Sequence, residues 1–311
     1  MKIVFMGTPA AAVPSIARIL SEGHEIVGVY SQPGRPAGRG NKIAFSPVKE
    51  FAVQHDLPVL QPLKIKTPEA FEEFRSLGAD VAVVVAYGRI LPESFLNAFP
   101  NGAINVHFSL LPKYRGAAPV NWAIVNGETR TGVTTMRMDA GLDTGDILLQ
   151  RAIEIGPEES SPELMERLSL TGADLLSETL CRLNELSGRP QDHEQATFAP
   201  IMKREDGLID WSISAGEIVN KVRGFQPFPG SYTFYKGQKV TVWKAVAIAD
   251  PDIQSGSAGE IIKAHSDELI VSCAKKTVLS IDELQLEGKR RIPTRDVLNG
   301  IAMKAGEILG T

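Results

Sequence analysis

Five short apolar segments, rich in β-branched residues, follow one another along the first part of the chain, with helix-like stretches between most of them. They are KIVFMG (2–7), EIVGVYS (25–31), PVLQP (58–62), DVAVVVAYG (80–88) and AINVHFS (103–109). Strands that are apolar along their whole length lie in sheets covered on both faces, and helices between them make such sheets parallel. The pattern therefore predicts a doubly wound, Rossmann-like α/β domain.

Serine or threonine followed by proline marks several helix starts. Ser46-Pro47, Thr67-Pro68 and Ser161-Pro162 each offer a hydroxyl cap and a proline at the first helical position, as helix N-termini favour. In a doubly wound domain, ligands bind beyond the carboxyl ends of the strands. Polar residues at those strand ends are therefore the first candidates for a site.

The chain of 311 residues is longer than one core usually supports, so we expect two domains. Residues 189–206 have mixed polarity, two prolines and no sustained period, and are predicted to link a catalytic domain (1–188) to a second domain (207–311). A capping box from Ser214 to Glu217 predicts a helix there. Short strands and a Lys236-Gly237 turn follow, which predicts an OB-like β-barrel.

The composition bears on location and metals. No apolar run reaches the length of about 18 residues that a membrane span needs, and MKIVFMGTP does not resemble a signal peptide. We expect a cytoplasmic monomer without a membrane partner. Cys181 and Cys273 lie far apart without metal-ligand spacing, which predicts two buried, inert thiols and no metal.

The net charge of −4 argues by itself against a nucleic-acid partner. The charge is uneven, however: residues 1–202 hold 18 basic and 23 acidic side chains, and residues 203–311 hold 15 and 14. The whole-chain value therefore says little about a local basic surface.

Asn105 and His107 lie two residues apart on the strand that runs into SLLPKYRGAAP (109–119). Strand alternation places both on one face. A buried amide and a buried imidazole each need partners, so the pair either caps the strand end or binds a ligand. Its position at the ligand edge of the fold favours a site.

Three aspartates lie among glycines in MDAGLDTGDIL (138–148). They are typical of turns, but such a loop would also aim Asp143 or Asp146 at His107. A carboxylate there favours the imidazolium form. Asn105 and His107 would then offer two donors to an oxyanion, as acyl transfer requires.

The order Asn-x-His, SLLPxxRG and glycine-rich aspartate loop resembles the 10-formyltetrahydrofolate-dependent formyltransferase superfamily. The resemblance implies that Asn105, His107 and Asp143 are catalytic, that Asp146 is the less favoured carboxylate, and that the formyl donor is 10-formyltetrahydrofolate with no metal. It also implies a folate site made of Tyr87, Gly88, Arg89, Ile90, Leu91, Ser109, Leu110, Leu111, Pro112 and Asp139.

A nicotinamide enzyme is the alternative from another chemical class. FMGTP (5–9) lies at a strand-to-helix turn, but it has one glycine rather than GxGxxG. YSQP (30–33) ends the second strand where an acidic residue would bind a ribose. Both departures disfavour this alternative.

The segment SQPGRPAGRGNKIAFSPVK (31–49) is longer than the roughly 2 to 6 residues usual for such a connection. It contains four basic residues and no acid, and its glycines and prolines predict no regular structure. It is either a solvated flexible loop or a basic finger for nucleic-acid phosphates.

RPAGRG followed by SPVK resembles the loop of methionyl-tRNA formyltransferases, which implies that initiator methionyl-tRNA is the acceptor. The expected tRNA contacts are Arg35, Arg39 and Lys42, with Lys203 and Arg204 near the second domain. Glycinamide ribonucleotide formyltransferases would end near residue 200, and sugar-nucleotide formyltransferases share the length but not the loop. A noncatalytic RNA-binding protein is the alternative outside enzymes, disfavoured by the intact Asn, His and Asp set.

Overall fold

The structure is a computed structural model that describes residues 1–37, 42–248 and 256–310. The chain divides into two compact units. The first consists of Met1–Pro119, Arg130–Glu154 and Met165–Ala199, and the second of Val120–Thr129, Ile155–Leu164 and Pro200–Thr311. The proposed domain limits at 188 and 206 stay a prediction.

The strands up to residue 199 are β1 Lys2–Gly7, β2 Glu25–Tyr30, β3 Arg35–Ala37, β4 Lys42–Ala44, β5 Val59–Leu60, β6 Val81–Val85, β7 Ala103–His107, β8 Arg115–Gly116, β9 Arg130–Arg137, β10 Ile147–Glu154 and β11 Phe198–Ala199. The helices of this stretch are α1 Val13–Ser21, α2 Pro47–Gln54, α3 Pro68–Ser76, α4 Glu93–Leu96, α5 Pro119–Val125 and α6 Ser161–Cys181.

A seven-stranded sheet in the order β10-β9-β7-β6-β1-β2-β5 forms the centre of the first unit. The five strands from β7 to β5 are parallel, and β9 and β10 run antiparallel at one edge. All five residues of β6 are buried, because neither face of this strand meets solvent. Aromatic side chains of α3 and α4 pack together beneath the sheet, with the Phe74 and Phe95 rings 4.6 Å apart. The predicted Rossmann-like domain is confirmed.

Two of the three predicted helix caps form as expected. The Ser46 hydroxyl accepts from the Lys49 amide at 3.2 Å, and the Thr67 hydroxyl accepts from the Ala70 amide at 3.2 Å. Helix α6 does begin at Ser161, but its hydroxyl donates to the Gly224 carbonyl at 2.9 Å instead of capping the helix. A capping hydroxyl accepts from a backbone amide of its own helix, whereas the Ser161 hydroxyl donates to a carbonyl far away in sequence.

Two expectations about this part of the chain are wrong. The basic segment was expected to lack regular structure, yet β3 and β4 pair antiparallel, with Arg35 opposite Ala44 and Ala37 opposite Lys42. An isolated two-stranded ribbon accepts Pro36 because its outer edge needs no donor. Cys181 was expected to be buried, but it is exposed at the last turn of α6.

The second unit is built on an antiparallel sheet. Its elements are α7 Ala215–Gly224, β12 Ser231–Tyr235, β13 Gln238–Ile248, β14 Ile261–His265, β15 Glu268–Ser272, β16 Val278–Leu286, β17 Ile292–Pro293 and α8 Thr294–Gly300. The strand order is β12-β13-β16-β15-β14, and β17 pairs with β16. Lys236 and Gly237 join β12 to β13 with φ of 50° and 75°, as a tight hairpin requires. The predicted turn and the antiparallel β domain are confirmed.

Helix α5 contributes residues to the second unit through specific contacts. The Asn121 amide donates to the Gly224 carbonyl at 2.8 Å, and the Trp122 ring packs edge-on against Phe225 at 5.6 Å. Cys273 is buried in this unit, and burial raises the pKa of its thiol to about 12. In the described ranges no helix is long and apolar enough to cross a bilayer.

Candidate active site

Strand β7 carries Asn105 and His107 to the carboxyl edge of the sheet. The strand lies between β6 and β9, so Asn105 is flanked by Val84 and Met136. Both polar side chains are nearly enclosed, with 9% of Asn105 and 6% of His107 exposed. Among the described residues the Asn105 side-chain amide has no hydrogen-bond partner. A nearly buried amide without a partner is suited to bind a ligand.

The two ring nitrogens of His107 have different neighbours. Nε2 lies 2.9 Å from the Tyr114 carbonyl oxygen. Because a carbonyl only accepts, Nε2 carries a proton in this arrangement. Nδ1 faces the Asp143 carboxylate, 3.7 Å from Oδ2. Nδ1 is therefore the nitrogen left to meet a reacting group.

Of the two aspartates that the sequence left open, Asp143 lies beside His107. Its Oδ2 also accepts a hydrogen bond from the Gly116 amide at 2.8 Å. The Asp146 side chain lies against Gly188 instead, where an added Cβ would approach its Oδ2 to 2.9 Å. Asp143 of the aspartate loop thus contacts both Gly116 of the RG motif and His107 at the end of β7.

Short polar contacts within the 138–148 loop set its shape. The Asp139 Oδ1 atom accepts from the Gly141 amide at 3.1 Å and from the Thr144 hydroxyl at 2.7 Å. A Cβ at Gly145 would lie 1.8 Å from the Arg137 carbonyl oxygen, so the chain can pass there only as glycine. Asp139, expected to bind folate, thus has one carboxylate oxygen that holds its own loop.

Thr134 and Gln150, which sequence reasoning missed, organise the SLLP segment. The Thr134 hydroxyl donates to the Ser109 carbonyl at 2.7 Å and accepts from the Leu111 amide at 3.1 Å. Gln150 donates to the Leu111 carbonyl at 2.8 Å. Their signal in the sequence was weak, because Thr134 is one of three threonines in the strand RTGVTTMR. The predicted folate residues Ser109, Leu110, Leu111 and Pro112 therefore lie on a braced turn.

The predicted folate segment after β6 mixes buried and exposed positions. Tyr87 and Leu91 are buried, whereas 74% of Ile90 is exposed. Arg89 donates to Gln32 Oε1 and to the Pro62 carbonyl, each at 2.9 Å. Gly88 has a φ of 83°, which glycine adopts without strain. The hydrogen bonds of Arg89 are thus made within the protein, while Ile90 exposes an apolar side chain at the surface.

Among the residues that the structure describes, the buried hydroxyl of Tyr87 has no hydrogen-bond partner, and burial raises the pKa of this phenol. The phenol therefore stays neutral at physiological pH. An unpaired buried donor is costly unless a ligand or water binds it.

A cavity of about 340 Å³ opens where β7 begins. Its walls come from the residues between α4 and β7 and from the end of β9: Leu96, Asn97, Phe99, Pro100, Asn101, Gly102, Ala103, Arg137 and Met138. This volume lies in the range of small-molecule sites. None of these residues was among the predicted folate contacts, although Met138 adjoins Asp139.

The predicted tRNA contacts are described only in part. Arg35 and Lys42 lie on the paired strands β3 and β4, and Arg39 lies outside the described residues. Lys203 and Arg204 are exposed at a 3₁₀ turn in the second unit, and in the described part of the chain neither side chain has an ion-pair partner. In that part, too, no cluster of His, Cys, Asp or Glu suited to a metal is present.

Residues 1–180 match the family described as formyl transferase. Residues 201–302 match the family described as formyl transferase, C-terminal domain. The chain belongs to the formyl transferase family.

Among its relatives is a methionyl-tRNA formyltransferase of Geobacter sulfurreducens, 48% identical over 100% of this chain and 97% of that protein. Two solved structures share the fold. One is the N-formyltransferase of Helicobacter canadensis in complex with folinic acid and dTDP-3-aminofucose, with a TM-score of 0.69, 19% identity and coverage of 90% and 98% of the two chains. The other is the methionyl-tRNA formyltransferase of Clostridium thermocellum, with a TM-score of 0.57, 18% identity and coverage of 79% and 93%.

Proposed function

We propose that the chain transfers the formyl group of 10-formyltetrahydrofolate to the free amino group of initiator methionyl-tRNA, giving N-formylmethionyl-tRNA for translation initiation. The observation that carries the reaction class is the arrangement around His107. Asn105 lies on the same strand with its amide unpartnered among the described residues. The Asp143 carboxylate, in the loop between β9 and β10, lies 3.7 Å from Nδ1. The choice of acceptor rests on the 48% identity over the full chain with a methionyl-tRNA formyltransferase.

The chemistry follows from these groups. The neutral amine attacks the formyl carbon, and the carbonyl oxygen becomes an oxyanion. The Asn105 amide and a protonated Nδ1 of His107 donate to that oxyanion, and preorganised donors of this kind stabilise acyl-transfer transition states. Asp143 stabilises the imidazolium and accepts the amine's proton, directly or through water. The bond to folate N10 then breaks and N10 takes up a proton, so the products are the formamide and tetrahydrofolate.

The cavity at the start of β7 is our candidate for the folate heterocycle. It is bounded by Ala103, which begins the strand that bears Asn105 and His107, and by Met138, which adjoins the Asp139 loop. Ile90 and the braced SLLP turn would line the path of the rest of the folate, as the family resemblance implies.

The acceptor side rests on basic residues outside this cavity. Arg35, Arg39 and Lys42 of the 31–49 segment would contact the acceptor stem, and Lys203 and Arg204 would add phosphate contacts. We place the enzyme in the cytoplasm, where translation begins, and propose that it acts as a monomer without a metal or a membrane partner.

The direct test is an assay with purified protein, 10-formyltetrahydrofolate and charged tRNAs. We expect formylmethionine on initiator methionyl-tRNA and little on elongator methionyl-tRNA. A parallel reaction offers a dTDP-amino sugar as the acceptor. Formylation of the sugar but not of the tRNA would overturn the proposed acceptor, and formylation of neither would overturn the proposed reaction.

A further inference from the structure

Gln191 lies in the segment between α6 and β11, far in sequence from the predicted catalytic residues. Only 5% of it is exposed. Its Nε2 donates to the Asp143 carbonyl at 2.9 Å and to the Gly145 carbonyl at 2.7 Å. Its Oε1 accepts from Arg115 Nε at 3.1 Å and from a terminal guanidinium nitrogen at 2.7 Å. Both donors and both acceptor sites of the amide are therefore used.

Arg115 determines which way this amide points. A guanidinium only donates, so the oxygen of Gln191 must face it. A flipped amide would place its NH₂ against the guanidinium and its oxygen against two carbonyls, all of them unfavourable contacts. The NH₂ group is thereby directed at the Asp143 loop.

Buried arginines are usually paired with a carboxylate, but Arg115 has a different environment. Only 3% of it is exposed, and in the described ranges no carboxylate lies within ion-pair distance. Its further partner is Nδ1 of His193, at 3.2 Å from both terminal nitrogens. A buried cation without a carboxylate is costly for stability, which points to a role in orientation instead.

The segment from Asp143 to Gly145, which Gln191 binds, is conformationally constrained. Asp143 has a φ of 52°, a left-handed conformation that persists in a non-glycine residue when its surroundings hold it. Gln191 holds the backbone at Asp143 and Gly145, while Oδ2 of Asp143 meets the Gly116 amide and faces His107. We propose that Gln191, oriented by Arg115, is a positioning residue that keeps Asp143 against His107. This inference rests on the proposed function.

The test is Gln191→Glu with Gln195→Glu as its matched control. The glutamate keeps an acceptor for Arg115 and gains an ion pair with it, which offsets part of the cost of placing its other oxygen against the two loop carbonyls. It loses both donors to the loop. Gln195 lies in the same segment and is exposed, and within the described ranges its side chain bonds to Asp192 alone. The control therefore adds the same charge without touching Asp143.

We expect kcat of Gln191→Glu to fall about tenfold to a hundredfold, since small misplacements of a catalytic group cost this much. The protein should remain folded, and its Kd for folate should match that of the control. In an Asp143→Ala background, Gln191→Glu should lower kcat no further, because a positioning residue acts only through its target. An equal loss in both backgrounds, or unchanged kcat, would overturn the proposal.

A second measurement does not depend on activity. The Gly116 amide donates to Asp143 Oδ2, so its hydrogen exchange, followed by NMR, reports where the carboxylate lies. Exchange should speed up about tenfold or more in Gln191→Glu and in Asp143→Ala, and stay unchanged in the control. If the wild type does not formylate any amine, this readout still tests the positioning.

If Gln191→Glu fails to fold, Gln191→Met tests the same bonds without adding a charge. A folded Gln191→Met protein with wild-type Gly116 exchange would refute the inference.

Discussion

Asp143 Oδ2 lies 3.7 Å from His107 Nδ1 while it accepts a hydrogen bond from the Gly116 amide at 2.8 Å. The carboxylate is thus near enough to stabilise a charged imidazole, yet another donor holds it. Since Nε2 of His107 is occupied by the Tyr114 carbonyl, a proton at Nδ1 would lie between the carboxylate and the incoming reactant. This relationship underlies the predictions for the site.

Asn105→Ala should lower kcat for formyl transfer by about 10² to 10³ with the fold retained, because one oxyanion donor is lost. The folate Kd should change little, since the developing charge exists only in the transition state. Steady-state kinetics and a folate titration measure the two effects. Asn184→Ala, at an exposed position in the same unit, is the control. A folded Asn105→Ala protein with near wild-type kcat would rule out the assignment.

Arg39→Ala should raise KM for methionyl-tRNA and flatten its dependence on salt. Loss of one phosphate contact reduces the slope of log affinity against log salt by roughly 0.9. The folate Kd should not change. Arg75→Ala, which removes an exposed arginine paired with Glu72 in α3, controls for overall charge. If Arg39→Ala loses as much activity towards a minimal amine as towards tRNA, the segment serves the folate site instead.

A fragment ending at Glu205 should be much less stable than the full chain. Asn121 and Ser161 both bond to the Gly224 carbonyl, and Trp122 packs on Phe225. The cut removes these partners and exposes to water the apolar surface of Trp122 that packs on Phe225, so this packing no longer stabilises the fragment. Thermal unfolding followed by circular dichroism compares the fragment with the full chain and with Asn121→Ala. A fragment that melts at the full chain's temperature would contradict this prediction.

The stability contributed by Glu217 should depend on pH in one direction. Hydrogen bonds from Ser214, together with Lys275, lower the pKa of this carboxyl from 4.5 to about 2. A lowered native pKa means that the stabilisation is fully present above the unfolded value and is lost as pH falls through the native one. Glu217→Gln should therefore lower the melting temperature at pH 6 and have a vanishing effect near pH 2.

The control for that series is Glu287→Gln, at an exposed position in the same unit. It should leave the melting temperature unchanged across the range. If the effect of Glu217→Gln on the melting temperature is constant from pH 6 to about pH 2, the capping box of Ser214 and Glu217 stabilises α7 without the negative charge of Glu217.

Local pattern alone predicted much of the architecture. Continuous apolar strands indicated the parallel sheet, and hydroxyl-proline pairs indicated the starts of α2 and α3, because burial and capping leave short-range signatures. Alternation also placed Asn105 and His107 on one face of β7. Those inferences need only neighbouring residues.

What only the tertiary structure decided depends on contacts between distant residues. The family resemblance favoured Asp143 over Asp146, but the position of its carboxylate depends on a hydrogen bond across 27 positions to Gly116. The hydrogen bond from Gln191 to the Asp143 carbonyl spans 48 positions. The assignment of α5 to the second unit likewise follows from the partners of Asn121, 103 positions away. Such contacts are specified by the packing of the whole chain and leave no period in the sequence, so the residue types of the candidate site were readable while their geometry was not.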